Sequence, residues 1–520
     1  MTEIGHNPPS MSTTRIPAPE TTLRNLGDIA IAHRLSDALA IVDLSTGDEF
    51  TYRELAALTD GVIGLLADLG LSSGDRIGIW SLNRIEYLAA YFGIMRAGMS
   101  VVPISTKLPQ DGFDHIVEDA DLKLIFADAD RAPRAAASVP TVNFDDDGPA
   151  GFAGHPRHEG TATVEVPLHD EAELLYTSGS TGRPKGVSLS HLGQIWALER
   201  LLKIKKDTPK RQLIAQPLFH MNGIFSVSGG LLSADTIYLQ PRFDARAYAA
   251  ALDEYRIEKL SAVPTMWSRA LREKDEGRAT LSSIRDLVLG SAPTSSKLLK
   301  KTASACPQAN VSLSYGTTEA GPVVFGPHPD GLERPFGSLG YPLADVEVRL
   351  SGSAENDRGV LEMRSISLMR EYVNLPERTA ESVTDGWYHS GDLMRRDENG
   401  FYFFDGRSDD MFVCGGENIF PLEVESILER HPAVHQASVV PLDDEDRGQM
   451  PVAFIVPQVG AETTAEELKR FVLDNAQPHL HPRRIAFVPE LPFAGTNKVD
   501  RATLIDRAEQ LERDRAWESD

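Results

Sequence analysis

Apolar positions recur at helical spacing near the start of the chain. Leu55, Leu58, Val62, Leu65, Leu66 and Leu69 share one face of a 3.6-residue repeat. Thr51-Tyr-Arg-Glu54 before them has the form of a capping box, and Gly70 behind them supplies a stop. The run Arg76–Trp80 then reads as a short buried strand. Residues Ile85–Arg96 return to helix, Gly98 ends it, and residues 101–104 form a further apolar run. Helices alternating with short apolar strands predict an α/β class of layered sheets and helices with largely parallel strands. The alternation is expected to continue to about residue 400.

Around residues 405–410 (DGRSDD) the texture becomes charged. Beyond it, runs at 438–441, 452–457 and 484–488 and a helix starting from Thr464 predict a smaller α+β domain. The expected organisation is a flexible tail over 1–20, a large domain over 21–408 and a small domain over 409–520. Segment 135–163, rich in Ala, Gly, Pro and Asp, reads as a surface loop of the large domain, because α/β patterning resumes directly after it.

Composition narrows the function classes. A length of 520 residues exceeds one ordinary core, in keeping with two domains. With 52 Lys+Arg against 76 Asp+Glu the formal charge is −24, which disfavours a general nucleic-acid binder or attachment to an anionic membrane. The longest apolar stretch, 87–104, is broken by Arg96, Gly93 and Gly98, so no membrane span is expected. Two cysteines, Cys306 and Cys414, suggest neither a disulfide framework nor a thiolate zinc site, and they fit a reducing cytoplasm.

Candidate chemistry begins at YTSGSTGRPKG, residues 176–186. Thr177, Ser178, Ser180 and Thr181 offer hydroxyls, and Gly179 and Gly182 free the backbone to wrap its N–H groups around phosphate oxygens. Lys185 adds a compact positive charge. The spacing is not that of a Walker A loop. PLFHMNG (217–223) sets His220 beside an aromatic ring, where a neutral imidazole can approach a carboxylate. GSAP (290–293) is a turn after the strand Asp286–Leu289. YGTTEAG (315–321) places Glu319, a hard oxygen ligand suited to Mg²⁺, next to hydroxyls. HSGDL (389–393) supplies Asp392, able to accept hydrogen bonds from ribose hydroxyls, and Arg407 follows as a fixed cation. LPFAGTNK (491–498) ends on Lys498.

These segments, in this order, resemble the adenylate-forming (AMP-binding) superfamily, and most closely its acyl- and aryl-CoA synthetase branch, including halobenzoate-CoA ligase. The resemblance runs from Thr51 to Lys498. It implies an acid–thiol ligase that activates an aromatic or medium-chain carboxylic acid as acyl-AMP, releases pyrophosphate and passes the acyl group to coenzyme A. Under it, ATP, Mg²⁺ and coenzyme A are the cofactors. Loop residues 177–182 with Lys185 hold phosphate, and Thr181 counts among the catalytic residues. Gly290, Ser291, Ala292 and Pro293 bed adenine, and Tyr315, Gly316 and Thr317 continue that site, with Tyr315 stacking on the base. Thr318 touches the α-phosphate, Glu319 holds the metal, and Asp392 and Arg407 bind ribose and phosphate. His220 and Lys498 act at the carboxylate. Asn497 stands where many relatives have Gly.

The acyl pocket implied by the resemblance comprises His220, Met221, Asn222, Gly223, Trp267, Ser314, Gly321 and Pro322. Asn222 could bond a ring hydroxyl or cap a turn. No cationic side chain occurs in these segments, which argues against a dicarboxylate. Asp409 is the implied hinge about which a mobile lid domain swings. MFVCGGENIFPLEVE (411–425) points to coenzyme A, with Gly415 and Gly416 giving a pantetheine arm close passage to the backbone and Pro421 opening a helix. A stand-alone enzyme loading a carrier protein, or a non-catalytic nucleotide-binding relative, would share parts of this pattern. A homodimer is compatible with it but not read from it.

Overall fold

The computed structural model describes residues 23–148, 151–152, 160–178, 183–204, 208–352, 357–494 and 498–517. The tail over 1–20, loop residues Gly179, Ser180, Thr181 and Gly182, and Asn497 lie outside the described residues.

Local signals act where they were read. Helix Tyr52–Asp68 starts at a capping box: the Thr51 hydroxyl accepts from the Glu54 N–H at 3.2 Å, and the Glu54 carboxylate accepts from the Thr51 N–H at 2.8 Å. Gly70 follows it at φ +75°, a conformation that favours glycine. The helix packs on Ile85–Arg96, where a Cβ on Gly93 would stand 2.6 Å from Val62 Cβ. That glycine sets how closely the two helices cross.

Among the described residues, two seven-stranded sheets form the body of the large domain. One runs Asn310–Leu313, Asp286–Leu289, Lys259–Ala262, Arg211–Ile214, Thr236–Leu239, Leu39–Asp43 and Glu49–Thr51, parallel except at its last pair. The other centres on Arg76–Trp80 and Ser100–Pro103, continues through Glu171–Ser178, and turns antiparallel at Pro184–Ser190 and Glu371–Tyr372. Parallel strands buried on both faces account for the short, continuous apolar runs.

Two expectations change. The helix–strand alternation stops well before residue 400: Glu347–Ser351, Arg358–Arg364, Val383–Thr384, Trp387–Arg396 and Tyr402–Arg407 form an antiparallel sheet, interrupted by one short helix, Pro376–Ser382. Adjacent antiparallel strands need no crossover helix, so the local pattern is unlike the earlier one. Segment 135–163 is also more than a loop, since Thr141–Asn143 pairs with Leu124–Ala127 as an edge strand.

The far end of that segment is pinned by a buried charge. Arg96, fully buried, donates to Asp60 Oδ1 at 2.6 Å, Thr59 Oγ1 at 2.7 Å, the Thr161 carbonyl at 2.7 Å and Thr163 Oγ1 at 3.0 Å. Asp60 Oδ2 accepts from the Gly160 N–H at 2.6 Å and from Arg34 at 3.1 Å.

The small domain has its own sheet, centred on Gly448–Pro457, which pairs with Val434–Asp444, Phe412–Cys414 and Arg484–Phe487. Its own apolar cluster includes Val424, Val452, Phe454, Leu468 and Leu504. Residues 408–411 join the last strand of the large domain to Phe412–Cys414, the first of the small one. Pro421 occupies the first turn of Pro421–Leu428. No helix among the described residues is long and apolar enough to cross a membrane.

Arg96→Met should lower unfolding stability by about 3 kcal/mol, because Asp60 loses its principal counter-charge while staying buried. Urea-unfolding midpoints at neutral pH measure this. An unchanged midpoint contradicts the assignment.

Candidate active site

One continuous cavity of about 1550 Å³ opens where the two domains face each other. Its polar wall is built from turns that follow strand ends, where backbone groups are free of the ladder. After Asn310–Leu313 the chain closes a tight turn: Thr317 N–H donates to the Gly321 carbonyl at 3.1 Å, the reverse bond is 3.0 Å, and Ala320 N–H reaches Thr317 Oγ1 at 2.9 Å. Gly316 has no room for a side chain there, since a Cβ would stand 2.5 Å from the Pro322 carbonyl. This turn brings Thr318 and Glu319 to the cavity.

Glu319 is held from a distant strand. Tyr372 donates its hydroxyl to Glu319 Oε1 at 2.9 Å, and Lys185 Nζ sits 4.3 Å over the Tyr372 ring. Partial burial pulls the Lys185 pKa down, the Glu319 carboxylate opposes that, and Arg378 adds to it. Thr177 Oγ1 faces the same wall, buried and without a partner among the described residues.

Asp392 lies on Trp387–Arg396, 5% exposed. Its Oδ2 accepts from the Tyr315 hydroxyl and its Oδ1 from Arg407 Nη1 at 3.0 Å. Burial raises its pKa, and the two donors only partly offset this. Arg407 also grips Asp409 through both carboxylate oxygens, at 2.7 and 2.8 Å, which lowers the Asp409 pKa. The cation thus bridges the strand carrying Asp392 to the 408–411 connection.

From the small domain, Lys498 stands in this field. Solvent reaches its side chain through the cavity, while protein on its flanks lowers its pKa; Asp392 and Glu319 act in the opposite sense. His220, the N-cap of Met221–Leu232, is tilted against Phe219 at 4.5 Å. Its Nε2 is buried with no partner among the described residues. Burial, reinforced by Lys498 and Lys107, pushes its pKa down to about 4, so the imidazole is neutral near pH 7.

The cavity wall includes most of the remaining candidates: Ser291, Ala292 and Pro293 on one turn, Ser314, Tyr315 and Thr317 on another, and Met221, Asn222 and Pro322. Others stand elsewhere. Trp267 is wholly buried in the core behind the wall, donating Nε1–H to Thr302 Oγ1 at 2.8 Å, because its helix turns that face to the neighbouring helix Ser296–Ala305. Gly223 backs onto the 217 turn, where a Cβ would meet the Pro217 carbonyl at 2.4 Å. Gly290 and Gly321 serve as spacers: a Cβ on either would collide with Ser314 Oγ or Ser367 Cβ. Gly415 and Gly416, at φ +60° and +89°, turn the hairpin between Phe412–Cys414 and Glu417–Ile419, away from this cavity. Asn222 caps no turn, because it sits inside the first turn of its helix and bonds to serines on three sides.

Several wall residues carried no motif. Tyr372 belongs to a two-residue edge strand, and Arg378 to a short exposed helix. Lys259 lines the cavity but is spent on Asp235 at 2.6 Å, so the acyl side still lacks a free cation from that residue.

The chain also matches known proteins. A match to the family described as AMP-binding enzyme spans residues 30–373, and a match to AMP-binding enzyme C-terminal domain spans 423–498. The chain is 31% identical to a feruloyl-CoA synthase of Amycolatopsis sp., covering 87% of this chain and 93% of that one. It is 29% identical to a 2-succinylbenzoate–CoA ligase of Bacillus licheniformis, covering 90% and 96%. The structure of ATP-bound MatB from Rhodopseudomonas palustris superimposes with a TM-score of 0.83 at 26% identity, covering 94% and 99%.

His220 should show no protonation between pH 8 and 5 in the imidazole NMR signals. Its folded pKa of about 4 lies below the unfolded value, so the unfolded chain binds the extra proton first. Its contribution to stability is therefore intact above about pH 6.5 and declines as pH falls towards 4. An imidazole titrating near 6.5 contradicts this.

Proposed function

The chain belongs to the AMP-binding enzyme family, and from that premise we propose how its residues carry out an ATP-dependent acyl-CoA synthetase reaction. It is an AMP-forming acid–thiol ligase. The observation that carries the residue-level reading is the position of Lys498, brought from the small domain into the charge field of Asp392 and Glu319.

In the first step a carboxylate oxygen of the acid bonds to the α-phosphorus of ATP, and the bond to pyrophosphate breaks. Acyl-AMP remains. We assign the triphosphate to the loop over 177–182 and to Lys185, and the adenine face to the 290–293 turn and Tyr315. Asp392 has given one lone pair each to Tyr315 and Arg407, which leaves acceptor capacity for both ribose hydroxyls. Neutral His220 supports the incoming carboxylate without adding a permanent charge beside it. Lys498 stabilises charge that builds on the α-phosphate and carboxylate oxygens.

Glu319 fits a magnesium ion shared with phosphate: Tyr372 fixes one carboxylate oxygen and leaves the other for the ion. When bound, the ion would neutralise phosphate charge.

In the second step the thiolate of coenzyme A bonds to the acyl carbon, the carbon–oxygen bond to AMP breaks, and the thiol proton goes to solvent. We propose 408/409 as the domain boundary and Asp409 as the hinge, the connection on which Arg407 already pulls. A swing there exchanges Lys498 for the hairpin at Gly415 and Gly416. Among the described residues, chain neighbours aside, nothing stands within 4 Å of where a Cβ would sit on either glycine, which leaves their backbone approachable.

Incubation with ATP, magnesium, a carboxylic acid panel and coenzyme A should release AMP and pyrophosphate one to one and yield a thioester seen by mass spectrometry. Thioester on a carrier protein but not on coenzyme A would favour the carrier-loading alternative. Lys498→Ala should slow pyrophosphate release at least about a hundredfold. Thioester formation from supplied acyl-AMP should stay within about threefold of the parent rate, since that step does not use the lysine. Equal loss of both steps contradicts its role.

A further inference from the structure

The acyl side of the cavity is more polar than an alkyl chain would require. Helix Met221–Leu232 leaves His220 and runs down the wall, exposing Asn222 and Ser226 to the cavity; Ser261 and Ser291 face them from two strand ends. Asn222 Nδ2 donates to Ser291 Oγ at 2.8 Å. Ser261 and Ser226 donate to Asn222 Oδ1 at 3.0 and 3.3 Å.

The hydrogen count decides what this cluster wants. One amide and three hydroxyls carry five polar hydrogens, two on the amide and one on each serine. The three bonds inside the cluster use three, so two remain, and among the described residues no other group accepts them. Reversing the amide changes which atoms are spent but not the total. Two unspent donors at a wall that substrate must dry call for an acceptor on the substrate, because hydrocarbon there would strip them of water and return nothing.

The carboxylate end of the acid is fixed by His220 and Lys498. Asn222 and Ser226 lie two and six residues further along, towards the part of the acid away from the reacting carbon. Resting on the ligase reading above, we propose that the acid carries an oxygen acceptor, a hydroxyl or alkoxy group, distal to its carboxylate, and that Asn222 and Ser261 read it, with Ser291 tying the cluster to the turn assigned to adenine. Asn222 and Ser261 are specificity residues here and take no part in bond making.

Two matched series test this with the full chain: cinnamate against its 4-hydroxy and 4-methoxy forms, and octanoate against 8-hydroxyoctanoate, scored as kcat/KM for pyrophosphate release. At least one oxygenated acid should exceed its unsubstituted partner by about tenfold or more, since a site built to bond an oxygen discriminates against its absence. Asn222→Ala should shrink that ratio towards one, by hurting the oxygenated acid more than the plain one. Ser261→Ala, a smaller perturbation of the fold, should shrink it in part. Plain acids used as well as oxygenated ones would overturn the inference and leave the ligase reading standing. Variants that lower both acids alike, keeping the ratio, would also overturn it, since the cluster would then only tie the helix to the strands. No pyrophosphate from any acid would overturn the ligase reading with it.

Discussion

The contact on which the arrangement turns is Asp392 with Tyr315 and Arg407. A carboxylate at 5% exposure is costly to keep charged, and here it is held by a phenol from one strand end and a guanidinium from another. Tyr315 follows the last strand of a parallel sheet, Asp392 lies mid-strand in the antiparallel sheet, and Arg407 ends the strand leading into the small domain. One ion-paired group therefore registers two sheets against each other. It also fixes the point from which the small domain departs, because the guanidinium that satisfies Asp392 clamps Asp409 with its other edge.

Charge in the cavity is distributed with the same economy. Lys185 and Lys498 both have lowered pKa values, from burial or crowding, and in both cases acidic neighbours limit the shift. His220 is neutral. An anionic nucleotide bound as proposed would meet positive charge set against protein, which strengthens an interaction with phosphate. Several acidic residues do line the wall, and Glu319, Asp392, Asp409 and Glu425 each have a partner, in Tyr372, Tyr315 with Arg407, Arg407 and Arg501.

The large domain supplies rigidity by other means. Helices Tyr52–Asp68 and Ile85–Arg96 pack tightly at Gly93, and Arg96 draws the 160–163 segment onto them. The strand Glu171–Ser178 therefore starts from an anchored chain, while the small domain, with a separate core, meets the cavity from across a short connection.

The fold and the site were legible to different degrees, for physical reasons. Capping boxes, glycine stops and apolar runs act over a few residues, so helix Tyr52–Asp68, strand Arg76–Trp80 and the proline opening Pro421–Leu428 were determined by the sequence alone. Glu319, Asp392, Arg407 and Lys498 stood out as candidates because each belongs to a contiguous run with its own turn chemistry, and the structure brings these four to one cavity, while residues 179–182 lie outside the described residues. Trp267 misled, because a residue in the right helix can face either side, and only packing against Thr302 decided which. Tyr372 was invisible, since its role depends on an edge strand meeting a turn 53 residues away. The antiparallel sheet and the serine cluster around Asn222 likewise depend on partners brought together through space. Sequence determined which groups the chain could present; the tertiary structure decided which of them share a cavity, because burial and partner geometry are properties of the packed sheets and not of any one segment.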